Sequence, residues 1–425
     1  MRRILIAVLA ALILVPAAVL GWQMMQHPER AHASKPVADK AAQVERGAYL
    51  ARVGDCMACH TVRGGQPYAG GRSIATPFGA LYAPNITPDA TGIGDWSADD
   101  FWRAMHNGRG RDGRFLYPAF PYTSYTRVSR EDSDAIYAYM RTLAPVRQES
   151  REHELRFPYN QRWLLAGWRA LYFRPGVFEA QPGQAAEWNR GAYLVQGLGH
   201  CVACHSSRNA LGATPLHGDL SGGMIPVLNW YAPALTPQGA SGLGDWATAD
   251  LAMLLKTGVS MKSAVYGPMA EVVGRSLQHL SDADAQAMAV YLKSLPQQAA
   301  APATAATVSD VQAQRLLEQG AKLYENHCAE CHRADGSGKP PAYPRLAGNH
   351  SIAASSVNPI RMVLNGGYPP STAGNPRPYG MPPYGPMMND EEVAAVVSYV
   401  RSAWGNQGAP VGPGEVSRYR TVPLE

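Results

Sequence analysis

Three five-residue stretches concentrate the reactive side chains of this 425-residue sequence: Cys56-Met57-Ala58-Cys59-His60, Cys201-Val202-Ala203-Cys204-His205 and Cys328-Ala329-Glu330-Cys331-His332. Together they use all six cysteines. Two thiols at this spacing can bond the two vinyl groups of one porphyrin, and the adjacent histidine then reaches the iron, so C-x-x-C-H is the attachment pattern of c-type haem. Disulfides or zinc sites are the competing chemistry. Three copies with no cysteine left over favour three covalently bound haem c groups. They would hang on Cys56 and Cys59, Cys201 and Cys204, and Cys328 and Cys331, with His60, His205 and His332 as proximal iron ligands.

A haem that only carries electrons usually has both axial positions filled, and methionine opposite histidine raises its potential. The place to look is a loop downstream of each motif, ahead of the last helix of its repeat. In the second repeat Met269, in Gly267-Pro268-Met269, fits that place better than Met261. In the third, Met381 sits in Tyr379-Gly380-Met381-Pro382, where the following proline holds it extended; Met387 and Met388 are the rivals. The first repeat breaks the pattern. Its loop reads Leu116-Tyr117-Pro118-Ala119-Phe120-Pro121-Tyr122, and Phe120 cannot ligate iron. Met105 or His106, on the preceding helix, is then the candidate sixth ligand, and a five-coordinate iron is the alternative.

The elements that must position these groups recur in step with them. Arg46-Gly47-Ala48-Tyr49-Leu50 returns as Arg190 to Leu194, Tyr82-Ala83-Pro84 as Tyr231-Ala232-Pro233, and Gly92-Ile93-Gly94-Asp95-Trp96 as Gly242 to Trp246. The third repeat is more divergent, with Gly320 to Tyr324 before its motif and Asn365-Gly366-Gly367 closing its middle helix. Each repeat starts with a helix leading into C-x-x-C-H. Each ends with an acid-started amphipathic helix, over Asp132 to Leu143, Asp282 to Leu295 and Asp390 to Trp404. Tyr139, Tyr291 and Tyr399 occupy matching places there and are expected to pack on the first helix of their own repeat. Abundant glycine (42) and proline (34) predict long ordered loops around short helices rather than sheets.

The segment between the first two repeats holds a helical pattern over Asn160 to Phe173. It places Trp163, Leu164, Trp168, Leu171 and Tyr172 on one broad face beside arginines, which reads as an interfacial helix, a docking face or packing between domains. The stretch from Pro296 to Ser309 reads as a flexible or extended linker. At the N-terminus, Arg2 and Arg3 precede an apolar run from Ile4 to Trp22, the pattern of an export signal or a retained anchor. The net charge of +5 is scattered, with no patch that suggests nucleic acid. Every cysteine is committed, so no Cys/His nucleophile remains, and no Ser/His/Asp set, G-x-G-x-x-G or P-loop is present.

With those residues in view, the sequence from about 44 to 405 resembles the membrane-bound, three-haem cytochrome c subunits of bacterial alcohol, gluconate, fructose and aldehyde dehydrogenase complexes. The haem motifs, the repeated Arg-Gly-Ala-Tyr-Leu, Ala186-Glu187-Trp188-Asn189, Asp390-Glu391-Glu392-Val393 and Ser402 to Asn406 carry the resemblance. It implies an all-α fold of three class I cytochrome c domains in tandem behind an N-terminal apolar signal or anchor helix. The expected organisation is signal or anchor 1–33, cytochrome domain 44–146, inter-domain segment 147–186, cytochrome domain 187–296, linker 297–309, cytochrome domain 310–405 and tail 406–425. It also implies a subunit on the periplasmic face of the bacterial inner membrane that passes electrons from a catalytic dehydrogenase subunit to ubiquinone. Alcohol-dehydrogenase-type members usually carry methionine where this chain has Phe120. Phe-Pro-Tyr looks more like subunits serving molybdenum hydroxylases, whose partners hold molybdopterin and iron–sulfur clusters. A partner with pyrroloquinoline quinone or flavin is the alternative. A peroxidase-like enzyme, with the first haem open, is the rival from another class.

Overall fold

A computed structural model describes residues 32–215, 218–237, 242–296 and 308–422, with isolated residues before 32. The described chain forms two compact units. One gathers Met1–Gln181 with Tyr193–His200 and Ala210–His217; the other gathers Pro182–Ala192, Cys201–Asn209 and Gly218–Glu425.

The first repeat runs α1 (Lys40–Val53), α2 (Cys56–Cys59), β1 (Ser73–Thr76), β2 (Gly79–Tyr82), α3 (Ala98–Asn107), α4 (Tyr122–Tyr125) and α5 (Arg130–Met140). A short β3 (Glu154–Leu155) and α6 (Leu165–Tyr172) follow. The second repeat has α7 (Ala186–Tyr193), which continues as a π-turn over Leu194–Leu198, then α8 (Val202–His205), β4 (Gly223–Ile225), β5 (Trp230–Ala232), α9 (Thr248–Thr257), α10 (Pro268–Arg275) and α11 (Asp282–Lys293). The third has α12 (Asp310–His327), α13 (Ala329–His332), α14 (His350–Ala354), α15 (Val357–Asn365), α16 (Asp390–Ser402) and α17 (Pro413–Arg420).

Local sequence explains the helix ends. The last helices begin where Ser129, Ser281 and Asn389 accept hydrogen bonds from the backbone N–H groups of Asp132, Asp284 and Glu392. The acids that mark these starts thus lie in the first turn of each helix, near its positive end. Ser97 and Asp100 close a full capping box on α3, and left-handed Gly108 ends it.

In every repeat the first and last helices cross at a glycine. A Cβ on Gly47 would lie 1.9 Å from the Ala135 carbonyl oxygen, on Gly191 1.9 Å from that of Ala287, and on Gly320 2.1 Å from that of Ala395. Only hydrogen fits there, so the Gly of Arg-Gly-Ala-Tyr-Leu sets the distance between the two helices. The neighbouring arginines clamp the same crossing: Arg46 Nε donates to Asp132 at 2.6 Å and Arg190 to Asp284 at 2.8 and 2.7 Å. Tyr291 packs edge-on against Trp188 of α7, and Tyr399 packs at a tilt against Tyr324 of α12. Tyr139 instead meets Tyr68, in the loop after the first haem motif. Behind α16 lie fully buried Leu316, Ile360 and Val393, each contributing about 1.5–3 kcal/mol by leaving water. The stretch from 406, which suggested no structure in the sequence, adds α17 to this core through buried Val416, while Arg420 pairs with Asp390 at 2.7 Å.

The all-α expectation is corrected. β1 and β2 form an antiparallel hairpin with Ser73 opposite Tyr82, β3 extends it with Gly79 opposite Leu155, and β4 pairs with β5. These short ladders pair the N–H and C=O groups of the loops that follow the first two motifs. The expected N-terminal apolar signal or anchor helix is not found either. Among the described residues no helix is long and apolar enough to cross a membrane. Most of the run from Ile4 lies outside those residues.

Three candidate haem sites

Each motif sits on a single helical turn at the end of its repeat's first helix, so the two cysteines of a pair lie on adjacent corners of one turn. All six thiols are unbridged. Burial pushes Cys56 and Cys201 up to about 12 and Cys328 up to about 11. They are held as neutral thiols, the form that adds across a vinyl group.

The histidines are fixed identically. His60 Nδ1 lies 2.8 Å from the Pro84 carbonyl, His205 Nδ1 2.7 Å from that of Pro233, and His332 Nδ1 2.9 Å from that of Pro344. A carbonyl only accepts, so each Nδ1 carries the proton and each Nε2 keeps a free lone pair, the arrangement that orients a metal-ligating imidazole. Burial holds all three rings below the usual histidine range, which keeps them neutral.

Hairpins deliver those proline carbonyls. β2 ends at Tyr82, two residues before Pro84, and β5 ends at Ala232, one before Pro233. In the third repeat Lys339 and Tyr343 exchange both backbone hydrogen bonds, at 3.0 and 3.1 Å, just before Pro344. A left-handed glycine closes the gap between histidine and hairpin each time. The N–H groups of Gly70, Gly222 and Gly338 donate to the carbonyls of His60, His205 and His332 at 2.8, 2.8 and 3.0 Å. Their φ values are +81°, +87° and +65°. A Cβ on Gly70 would stand 2.4 Å from the Pro84 carbonyl carbon. The sequence displays Tyr-Ala-Pro twice, but its role is invisible there because the working atom is a backbone oxygen. Arg72 and Arg208 were also missed: they donate to the carbonyls of Ala58 and Ala203, inside the C-x-x-C turns, at 2.6 and 2.5 Å. They hold unlike places in their repeats, so no alignment flags them.

The downstream candidates differ from site to site. Met269 is half-buried at the start of α10. Met381 is half-buried and pinned by two backbone hydrogen bonds with Gly367, at 2.8 and 3.0 Å. Of the rivals, Met261 and Met387 are exposed, and Met388 belongs to the apolar core behind α16. In the first repeat the Phe120 ring packs edge-on against Tyr125, whose hydroxyl donates to Gly54 O at 2.8 Å, two residues before Cys56. Met105 is buried and its Sδ takes the Ser133 hydroxyl at 3.9 Å. His106 is buried too, stacked on Trp102 at 4.4 Å, with Nδ1 2.8 Å from Thr126 O. Burial brings its pKa down to about 4. The donor set at each motif, paired unbridged thiols beside an oriented neutral imidazole, fits covalent haem.

These features define a haem-binding electron carrier, and the sequence pattern of the Cytochrome c family matches residues 44–144, 189–296 and 317–404. The chain belongs to the cytochrome c family, whose haem c is covalently bound. Over most of its length it is similar to cytochrome subunits of dehydrogenases. It is 44% identical to the gluconate 2-dehydrogenase cytochrome c subunit of Pantoea cypripedii, covering 86% of each chain. It is 39% identical to the cytochrome c subunit of the alcohol dehydrogenase (quinone) of Gluconobacter oxydans, over 90% of this chain and 83% of that one. It is also 44% identical to a nicotinate dehydrogenase subunit of Pseudomonas putida, over 85% of this chain but 30% of that longer protein. An electron-transfer role follows from this membership.

Proposed function

We propose that the chain carries three covalent haem c groups, one on each motif, and passes electrons from a catalytic dehydrogenase subunit to ubiquinone at the periplasmic face of the bacterial inner membrane. The observation that carries this reading is the threefold recurrence of one proximal arrangement: two unbridged thiols on one helical turn, an oriented neutral histidine, a proline carbonyl and a left-handed glycine. Haem iron, when bound, supplies one-electron redox chemistry. The chain's part is to hold and tune it. His60, His205 and His332 serve as proximal ligands. Met269 and Met381 serve as sixth ligands in the second and third sites, and Met105 or His106 in the first.

For the partner, the proposal is a molybdenum hydroxylase-type dehydrogenase acting on aldehydes or N-heterocycles. Phe120 in place of methionine supports this, as does the 44% identity to a relative named for nicotinate, an N-heterocycle. An equal identity to the gluconate relative keeps a flavin or pyrroloquinoline quinone partner as the second reading. Purification of the tagged chain from detergent-solubilised membranes, with metal and cofactor analysis, separates the two. Molybdenum and iron–sulfur in a co-purifying large subunit are expected; flavin or pyrroloquinoline quinone would overturn the partner assignment. A pyridine haemochrome assay should give three haems per chain.

A further inference from the structure

The segment from Arg156 to Arg174 presents an unusual surface. Phe157 is 81% exposed, Leu171 61% and Trp163 57%, with Tyr159 and Leu164 at 40% and 39%. On α6 the inward residues are Leu165, Ala166 and Arg169. A surface helix ordinarily turns polar residues outward; here Leu171 is turned outward and the helix's arginine, Arg169, inward. The segment contains Arg156, Arg162, Arg169 and Arg174 and no acidic residue. The first and last of these are exposed at its two ends.

The segment is also rigidly seated. Arg169 donates to Asn107 O at 2.6 Å, to Asn107 Oδ1 at 2.7 Å and to Gln23 Oε1 at 2.8 Å, and Arg162 donates to Phe115 O at 2.8 Å. Gln23 Nε2 in turn donates to Ala166 O at 2.9 Å. Gln23 directly follows the apolar run Ile4 to Trp22 in the sequence. Gln23 is therefore tied to the inner side of α6.

We propose that this face is a membrane-contact surface, with Phe157, Tyr159, Trp163, Leu164 and Leu171 seated in the interfacial layer of a bilayer and Arg156 and Arg174 on anionic lipid headgroups. Aromatic rings favour that layer, where an apolar body and a polar edge are both satisfied. The two exposed arginines, at the ends of a segment with no carboxylate of its own, complement anionic lipid. The inference rests on the reading of the chain as a membrane-facing subunit and names the surface that does the facing.

The test uses the full-length holoprotein with phosphatidylcholine vesicles, with and without phosphatidylglycerol. Flotation reports binding, and hydrogen exchange reports which segment is covered. Residues 156–174 should exchange about tenfold more slowly on vesicles containing phosphatidylglycerol. Phe157→Glu/Trp163→Glu/Leu171→Glu should abolish that protection, and Arg156→Glu/Arg174→Glu should remove its dependence on the anionic lipid. These side chains are exposed, and an unchanged haem spectrum confirms that each variant is folded. Flotation without protection of this segment would overturn the surface assignment and leave the membrane-facing reading standing. No flotation at all would overturn both. Protection by a purified catalytic subunit without lipid, and none by vesicles, would make the face a protein-docking surface instead.

Discussion

The proximal and distal sides of these three sites obey different rules. On the proximal side the histidine, the proline carbonyl and the left-handed glycine recur with distances that agree to within 0.2 Å. The residues proposed for the distal side, or standing in the matching loop, are Phe120, Met269 and Met381, and they lie in three different backbone settings. The difference has a physical source. The proximal contacts run through backbone atoms and one left-handed glycine, so they persist as long as the backbone path is kept. The proposed distal position is a side chain, on a loop or at the start of a helix, whose identity can change without disturbing the fold, and with it the potential of one iron. Such a chain can hold its scaffold constant while setting each haem separately.

The largest effect should come from breaking the proximal frame. Gly70→Val places a Cβ 2.4 Å from a backbone carbon and forces a branched residue to a φ of +81°. Neither neighbour can give way, and a loss of roughly 3 kcal/mol or more is expected. Thermal unfolding and haem content should both register it. A variant with three haems and wild-type stability would show that the glycine is not required and that the proximal uniformity is incidental.

Next come the distal methionines. Met269→Ala should leave folding intact while one haem of three turns high-spin and falls sharply in potential, and Met381→Ala should do the same to a different haem. Redox titration followed optically reads both. An unchanged titration removes that methionine as a ligand. Met105→Ala and His106→Ala, made singly, apply the same reading to the first site. A smaller and more informative change is Phe120→Met. If the loop from Leu116 to Tyr122 occupies the distal side of the first site, the substitution should raise the potential of one haem and leave the other two in place. If nothing moves, that loop does not face the iron, and the first site differs from the others in path as well as in residue.

How much of this was legible in the sequence follows the same divide. The motifs, the paired repeats and the acid-started last helices are carried by side chains at fixed spacing, and the structure has helices in those places: Arg130–Met140, Asp282–Lys293 and Asp390–Ser402. The hairpins were not legible. β1, β2, β4 and β5 are three or four residues long, too short for an alternating pattern to stand out from glycine- and proline-rich loops. Nor was the reason for Pro84, Pro233 and Pro344, because an acceptor carbonyl belongs to any residue. The arginines at Ala58 and Ala203 reach the same carbonyl from different places in the chain, a convergence that only coordinates reveal. Gly47, Gly191 and Gly320 stood out as repeats, yet the sequence could not say that their missing Cβ atoms set a helix crossing.

The hairpins themselves differ in one respect that pH can probe. The N–H of Tyr82, two residues before Pro84, donates to His153 Nδ1 at 3.3 Å. Its counterpart, the N–H of Tyr231, donates to Asn358 Oδ1 at 2.9 Å. One acceptor titrates and the other does not. Burial first, and then the charges of Arg162 and Arg114, bring His153 down to about 4 from its usual 6.5. Above 6.5 the ring is neutral whether the chain is folded or not, and it contributes no pH dependence. Between 6.5 and 4 the unfolded chain takes up a proton that the folded chain refuses, so stability falls as pH falls, and below 4 the loss is complete. With solvent screening at a partly exposed ring, the loss is on the order of 1 kcal/mol. Protonation also removes the acceptor from the Tyr82 N–H and loosens the strand that carries Pro84 to His60. His153→Asn, which gives the first hairpin the second one's type of acceptor, should flatten this part of the acid limb. Denaturant midpoints of the holoprotein at pH 7 and pH 4.5, compared between wild type and variant, measure it. Equal acid losses in the two proteins would mean that the first hairpin owes nothing to its histidine.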